Sequence, residues 1–155
     1  MSMLDMDFKK ETFDIIWSEG ALYFMGFQNG LKRCHQLLKD KGYLAVTELV
    51  YTVPHPPKAV IKYLTSEYPD IRNIETNIKT IDKEGFNLIS NFTLPESAWL
   101  NRYYLPMEKE LPRLNKKYQE NEIALAVFEG FTNEVNMYRK NSNYYGYEFF
   151  VMQKK

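Results

Sequence analysis

The chain has 155 residues, and its 20 Lys and Arg balance its 20 Asp and Glu, so the formal net charge is zero. That length suits one domain, and the charge balance argues against nucleic acid or an anionic membrane as the main partner, since both need a basic surface. Aromatics make up 15% of the residues, with 12 Tyr and 10 Phe, which fits either a well-filled core or an aromatic-lined pocket for an organic molecule.

The opening segment "MSMLDMDFKKE" is acidic and lacks the basic start and apolar centre of a secretory signal. No apolar run approaches the roughly 18 residues of a membrane span. A lone cysteine, Cys34, cannot close an internal disulfide, which fits a reducing compartment. The expectation is a soluble, cytoplasmic protein.

"FDIIW" (13–17) reads as a strand covered on both faces. After a break at Gly20 and Gly26, Phe27, Leu31, Cys34 and Leu38 fall at helical spacing. The helix is expected to stop at "KDKG", with Gly42 just past its end. "YLAVTELVY" (43–51) follows as a second buried strand, parallel to the first, as a βαβ unit requires. Prolines 54, 56 and 57 make "TVPHPP" a loop, and Pro57 is placed to open a helix carrying Val60, Ile61 and Leu64 that "YPD" ends.

Ile71, Ile74, Ile78 and Ile81 form a short helical stripe closed by Gly85, and "FNLISNFTL" (86–94) is a strand. "PESAWLNRYYLP" reads as an aromatic-rich loop leading into helices near 106–119 and 121–140. "YGYEFFVMQKK" (145–155) closes the chain as a strand with apolar residues on both faces. The chain carries no internal repeat or interdomain linker. The architecture expected is α/β, a single domain over 1–155.

"MLDMDFKKETFDIIWSEGALYFMGFQNGLK" followed by "GYLAVTELVY" resembles class I S-adenosylmethionine-dependent methyltransferases of the small-molecule branch. "EGFNLISNFTLPESAW", "NRYYLP" and "YYGYEFFVMQKK" have counterparts there in the same order. The resemblance implies a Rossmann-like sheet in the order 3-2-1-4-5-7-6 with strand 7 antiparallel. This chain would supply only 4-5-7-6, with 145–154 between 43–51 and 86–94. In that family a G-x-G-x-G loop holds the methyl donor, since glycine lets backbone approach the ligand. None of the seven glycines here forms such a loop. The resemblance thus implies a truncated, C-terminal half of the fold, inactive alone, with S-adenosylmethionine as the cofactor of the complete fold. Strand 13–17 becomes an edge, which invites pairing through residues 1–25, either in a homodimer or with a missing N-terminal half.

Ligands in open α/β sheets sit at the carboxyl ends of the strands. The resemblance places Ser2, Met3, Ser18, Glu19 and Gly20 against the donor, and Tyr23 and Tyr51 beside a small-molecule acceptor. Trp99, Tyr103 and Tyr104 resemble the family's substrate lid, or equally an aromatic clamp that pins the segment down. Glu19 is the candidate proton acceptor; it could instead be a carboxylate bonded to nearby amides, and Glu48 has the same two readings. His35 and His55 lack spaced carboxylates or thiols, so no metal site is expected. Two functions remain open: the substrate side of a small-molecule methyltransferase, or a non-enzymatic dimeric module that keeps an aromatic small-molecule pocket.

Overall fold

The structure is a computed structural model that describes residues 5–155. The chain divides into two compact units, Pro95–Ser142 and the remainder.

The larger unit is a sheet with helices on one face. Its elements run β1 (Phe13–Ser18), a single 3₁₀ turn (Leu22–Met25), α1 (Phe27–Leu37), β2 (Leu38–Tyr51), α2 (Lys58–Glu67), β3 (Arg72–Asn73), α3 (Ile74–Lys83), β4 (Phe86–Thr93) and β5 (Tyr145–Lys154). The sheet order is β1-β2-β5-β4, with the short β3 also pairing β2. β1 and β2 are parallel, while β5 is antiparallel to both β2 and β4. This is the order and direction expected from the sequence: an α/β sheet of Rossmann-like methyltransferase type, with the last strand reversed.

Alternation along the strands sorts the two faces. Leu44 and Val46 of β2 and Phe150 and Met152 of β5 meet Phe27, Leu31 and Cys34 of α1 and Ile81 of α3 in one buried cluster. On the opposite face Ile15 pairs with Tyr43 and Trp17 with Ala45. There Ile15, Trp17, Tyr43 and Phe92 stay exposed, and Phe149 lies between Trp17 and Phe92 with ring centroids 5.4 and 5.3 Å away.

The first helix is shorter than its apolar spacing suggests. It stops at Leu37, because Leu38 turns to extended backbone (φ −76, ψ 139) and pairs with Phe13. The next strand partners are Ile15 and Tyr43, so residues 39–42 bulge out. Lys41 takes the left-handed conformation (φ 62). Gly42 passes close to backbone: a Cβ there would sit 2.9 Å from the Lys39 carbonyl and 3.1 Å from that of Asp14. The nearly buried Lys154 closes this corner by donating to the Leu38 carbonyl at 2.9 Å.

Unit Pro95–Ser142 is helical: α4 (Glu96–Trp99), a π-helical turn (Leu100–Tyr104), α5 (Leu105–Lys117) and α6 (Glu122–Asn141). The aromatic segment read as a loop is therefore wound into helical turns, entered at Pro95. α6 starts where the Asn121 side chain accepts the Ala124 N–H at 3.0 Å. Glu108 and Arg139 join α5 to α6 at 2.5 Å.

Of the glycines in the larger unit, Gly30 leaves the least room for a side chain. A Cβ there would lie 2.3 Å from Cγ of Leu22, which is itself 1% exposed and has no room to move. Gly30→Ala is expected to destabilise the protein by about 1–3 kcal/mol despite the better helix propensity of alanine. Urea unfolding checks this, and an unchanged or raised midpoint would contradict it.

Candidate functional site

β1 ends at Ser18, opposite Val46, and the parallel β2 runs on five residues further to Tyr51. Beyond β1 the chain turns at Gly20, whose φ of +55 lies in the left-handed region. The Gly20 N–H donates to Thr47 Oγ1 at 2.8 Å, which ties the turn to β2. A side chain at Gly20 would point at the Tyr147 hydroxyl, 3.4 Å away.

Among the described residues, two hydroxyls, each at its own strand's carboxyl end, are buried without a hydrogen-bond partner: Ser18 Oγ and Tyr51 Oη. Buried polar groups are nearly always paired, so such an orphan marks a place where a further polar group fits. Ser18 shares its face with Val46, its register partner. Tyr51, five residues along β2, lies on the other face. The two hydroxyls therefore lie on opposite faces of the sheet, five residues apart along β2. Burial also raises the Tyr51 phenol above its ordinary value, so it stays a neutral donor.

Glu19 is exposed and accepts the Trp17 indole N–H at 2.5 Å. The bond holds its carboxylate against the ring and leaves it in solvent. Tyr23 is 40% exposed; it stacks on Phe24 at 4.1 Å and meets the edge of Tyr68 at 6.0 Å.

Glu48 differs sharply from Glu19. It is 3% exposed and accepts the Tyr68 hydroxyl at 2.5 Å. Burial, opposed by the Tyr68 bond and seconded by the charge of Asp70, pushes its carboxyl up to about 7. Its register partner across the ladder is Glu148, also buried, which accepts from Asn91 Nδ2 at 2.5 Å and Thr93 Oγ1 at 2.6 Å. Tyr68 was legible in the sequence only as part of the helix stop "YPD". Its partner stood in plain view, since a glutamate inside an apolar strand must find a donor.

Trp99, Tyr103 and Tyr104 fall in the helical unit. Trp99 stacks flat on Tyr138 at 4.8 Å and 6°, and the buried Tyr104 donates to Glu134 at 3.0 Å. Tyr103 is the outermost of the three, 47% exposed. Ser2 and Met3 lie outside the described residues.

Cys34 is buried and its thiol is pushed up to about 11 by desolvation, so it stays protonated and unreactive near neutral pH. His35 packs edge-on against Phe86 at 5.3 Å, and burial lowers its pKa. Among the described residues no cluster of His, Cys, Asp and Glu could hold a metal ion, and no helix is long and apolar enough to cross a membrane.

The raised Glu48 carboxyl has a signed consequence. The folded chain keeps this proton to about pH 7, while an unfolded chain releases it near the ordinary 4.5. Its stabilising contribution is thus full below the unfolded value and is lost as pH rises through 7. Glu48→Gln removes that dependence, so its stability relative to the parent chain should rise by on the order of 3 kcal/mol between about pH 4 and 8. Urea unfolding across that range checks it; parallel curves for the two proteins would contradict it.

A methyltransferase-domain family model matches residues 1–46. No curated protein matches the chain in sequence. Among solved structures, the S-adenosylmethionine-dependent methyltransferase from Geobacter sulfurreducens in complex with S-adenosyl-L-homocysteine aligns over 94% of this chain and 59% of its own, with a TM-score of 0.72 at 16% identity. Phosphoethanolamine N-methyltransferase 2 of Haemonchus contortus in complex with S-adenosyl-L-methionine aligns over 96% of this chain and 34% of its own, with a TM-score of 0.69 at 15% identity. The [4+2]-cyclase SpnF aligns over 99% and 54%, with a TM-score of 0.72 at 17% identity. The chain therefore spans between a third and three fifths of these structures. In fold over its length, and in sequence over its first 46 residues, it is similar to class I S-adenosylmethionine-dependent methyltransferases.

Proposed function

We propose that this chain forms the acceptor side of an S-adenosylmethionine-dependent methyltransferase of small molecules. The observation that carries the reading is the pair of orphaned buried hydroxyls, Ser18 and Tyr51, at the carboxyl ends of β1 and β2. These ends are where open α/β sheets take their ligands. Ser18, Glu19 and the backbone of Gly20 fit the donor side, together with Ser2 and Met3 before them; Tyr23 and Tyr51 fit the acceptor.

The donor, when bound, supplies a methyl group on a positively charged sulfur. The chain's own part is positioning: it holds the acceptor in line and keeps water away, which is where most of the acceleration of such a transfer arises. Glu19, in solvent beside Trp17, is placed to take a proton where the acceptor must lose one.

None of the seven glycines provides a G-x-G-x-G loop, so tight donor binding draws on polypeptide beyond these 155 residues, and the chain alone is inactive. β1 pairs only with β2 among the described residues, and its Ile15 and Trp17 are 62% and 63% exposed. An apolar edge of this kind pairs with a second copy or with the polypeptide that completes the sheet. The second reading, a non-enzymatic dimeric module with an aromatic pocket, draws on the same exposed face, and a cyclase shares the fold.

Ligand-observed NMR with S-adenosylhomocysteine, on samples whose mass is set by light scattering, separates the two readings. The first expects weak binding by the chain alone, with a Kd near about 1 mM, weakened several-fold by Ser18→Ala. It also expects a mass above the 18.4 kDa of one chain. Absence of any saturation transfer would overturn the donor side of the reading and leave the binding module.

A further inference from the structure

β1 is tied down at both ends from the side of β2. The N–H groups of Glu11 and Thr12 donate to the Gln36 and Leu37 carbonyls at 3.0 and 2.9 Å, so the chain reaches Phe13 along the end of α1. Past Ser18 the Gly20 N–H turns back to Thr47 Oγ1 of β2 at 2.8 Å. Between these ties β1 pairs only with β2 among the described residues, which leaves its other edge facing outward.

Such an edge is ordinarily blunted by lysine, proline, a bulge or a cover. Phe13–Ser18 contains neither lysine nor proline, and the bulge in its ladder lies on β2, over residues 39–42. Its one charge, Asp14, is held by Lys39 at 2.9 Å. Ile15 and Trp17 are 62% and 63% exposed, whereas Ile16 packs against the core cluster on the other face.

We propose that β1 pairs antiparallel with β1 of a second copy of this chain, about a twofold axis at Ile16, joining the two sheets edge to edge. The proposal chooses between the two occupants that the functional reading leaves open for this edge. It rests on that reading only for what the dimer means at the Ser18–Gly20 turn.

The strand's own sequence selects this register. Residues directly opposite in an antiparallel pair share a face, so a twofold pairing is centred on one residue. Centred at Ile16, Ile15 meets the partner's Trp17 and Ile16 meets the partner's Ile16. β-Branched and aromatic side chains are favourable cross-strand neighbours, and symmetry repeats the Ile15–Trp17 pair. Centred at Ile15, Asp14 would instead oppose the partner's Ile16; centred at Trp17, Glu19 would oppose the partner's Ile15.

Charge selects the orientation. Lys9 and Lys10 stand exposed in the turn before β1, which Thr12 Oγ1 closes on the Lys9 carbonyl at 2.7 Å. Among the described residues neither lysine joins an ion pair. The neighbouring Glu11 faces Lys154 at 3.9 Å. Asp5 and Asp7 flank Met6, whose carbonyl is bound by Arg33 of α1. At the far end of the strand Glu19 is exposed, bonded to the Trp17 indole. The antiparallel register sets Glu19 opposite the partner's Phe13, next to the partner's lysine turn, at both ends of the interface. A parallel pairing would bring lysine turn to lysine turn. Rim charges of this kind choose orientation more than they add affinity. The strand is short, so the interface falls at the small end of specific ones, about 800 Å² a copy or less, and association is expected in the micromolar range. Each lysine turn then borders the Ser18–Gly20 turn of the other copy.

The test is sedimentation equilibrium of the whole chain at concentrations up to about 200 μM, without ligand. The expected mass is twice the 18.4 kDa of one chain. Glu19→Lys should weaken association about tenfold, and Lys9→Glu with Lys10→Glu should do the same. The three changes together should restore most of it, which no merely structural effect of the substitutions would do. A second measurement reads the register. Under mild oxidation, Ile15→Cys and Trp17→Cys chains should form an interchain disulfide when mixed and not when either is alone, because only directly opposite residues come within disulfide reach. The native Cys34 is buried.

A single-chain mass at these concentrations overturns the proposal, as does an open assembly larger than a dimer. So does a dimer indifferent to both charge reversals, or disulfides that form equally from either cysteine variant alone. Binding of S-adenosylhomocysteine is read separately. A dimer that binds none keeps this inference while the functional reading fails, and a monomer that binds it does the reverse.

Discussion

The sheet depends on its last strand. β5 enters between β2 and β4, and its ladder with β2 runs unbroken from Tyr43–Gln153 to Tyr51–Tyr145. Without it β2 and β4 would each present an open edge, and the core would lose Phe150 and Met152. The pairing joins residues about a hundred positions apart, so its loop-closure entropy must be met before any of its bonds form. What meets it is apolar burial on both faces: Phe150 and Met152 towards the helices, Phe149 between Trp17 and Phe92. Lys154 and Lys155 then fasten the end, the first to the Leu38 carbonyl and the second to Gly85 through its backbone N–H at 3.0 Å.

The same ladder creates the site's electrostatics. Pairing β2 with β5 in this register sets Glu48 opposite Glu148 inside an otherwise apolar face. Two buried carboxylates cannot both be left without donors. Glu148 takes two, from Asn91 and Thr93 on β4, and Glu48 takes one, from Tyr68. Burial, with Asp70 nearby, raises the Glu48 carboxyl to about 7. Stability is thereby linked to one proton.

Strand order and direction were legible because β1, β2, β4 and β5 are short apolar runs separated by helix-period stripes, and because the order of the segments resembles a known family. Two boundaries were not. The stripe Phe27–Leu31–Cys34–Leu38 continues through Leu38, yet Leu38 serves β2; periodicity alone cannot tell a helix's last apolar residue from a strand's first. Lys41, not a glycine, takes the left-handed backbone at the bulge, which no propensity favours. The aromatic segment 99–104 carries no glycine, and its bulky residues wind into helical turns that propensity alone would not favour strongly. At the strand ends, Ser18 and Gly20 could be placed from the turn pattern. Tyr68 could not, because its importance comes from a partner 20 residues away in sequence.

Native-state hydrogen exchange measured in increasing urea tests the dependence on β5 most directly. The ladder account predicts that the amides of β2 and β5 between Tyr43–Tyr51 and Tyr145–Gln153 exchange only through complete unfolding, with one shared free energy. β1 and the helices of 95–142 should open at lower free energies. If β5 exchanged more easily than β1, the sheet would be held by its β1–β2 pair and the last strand would be an addition to it.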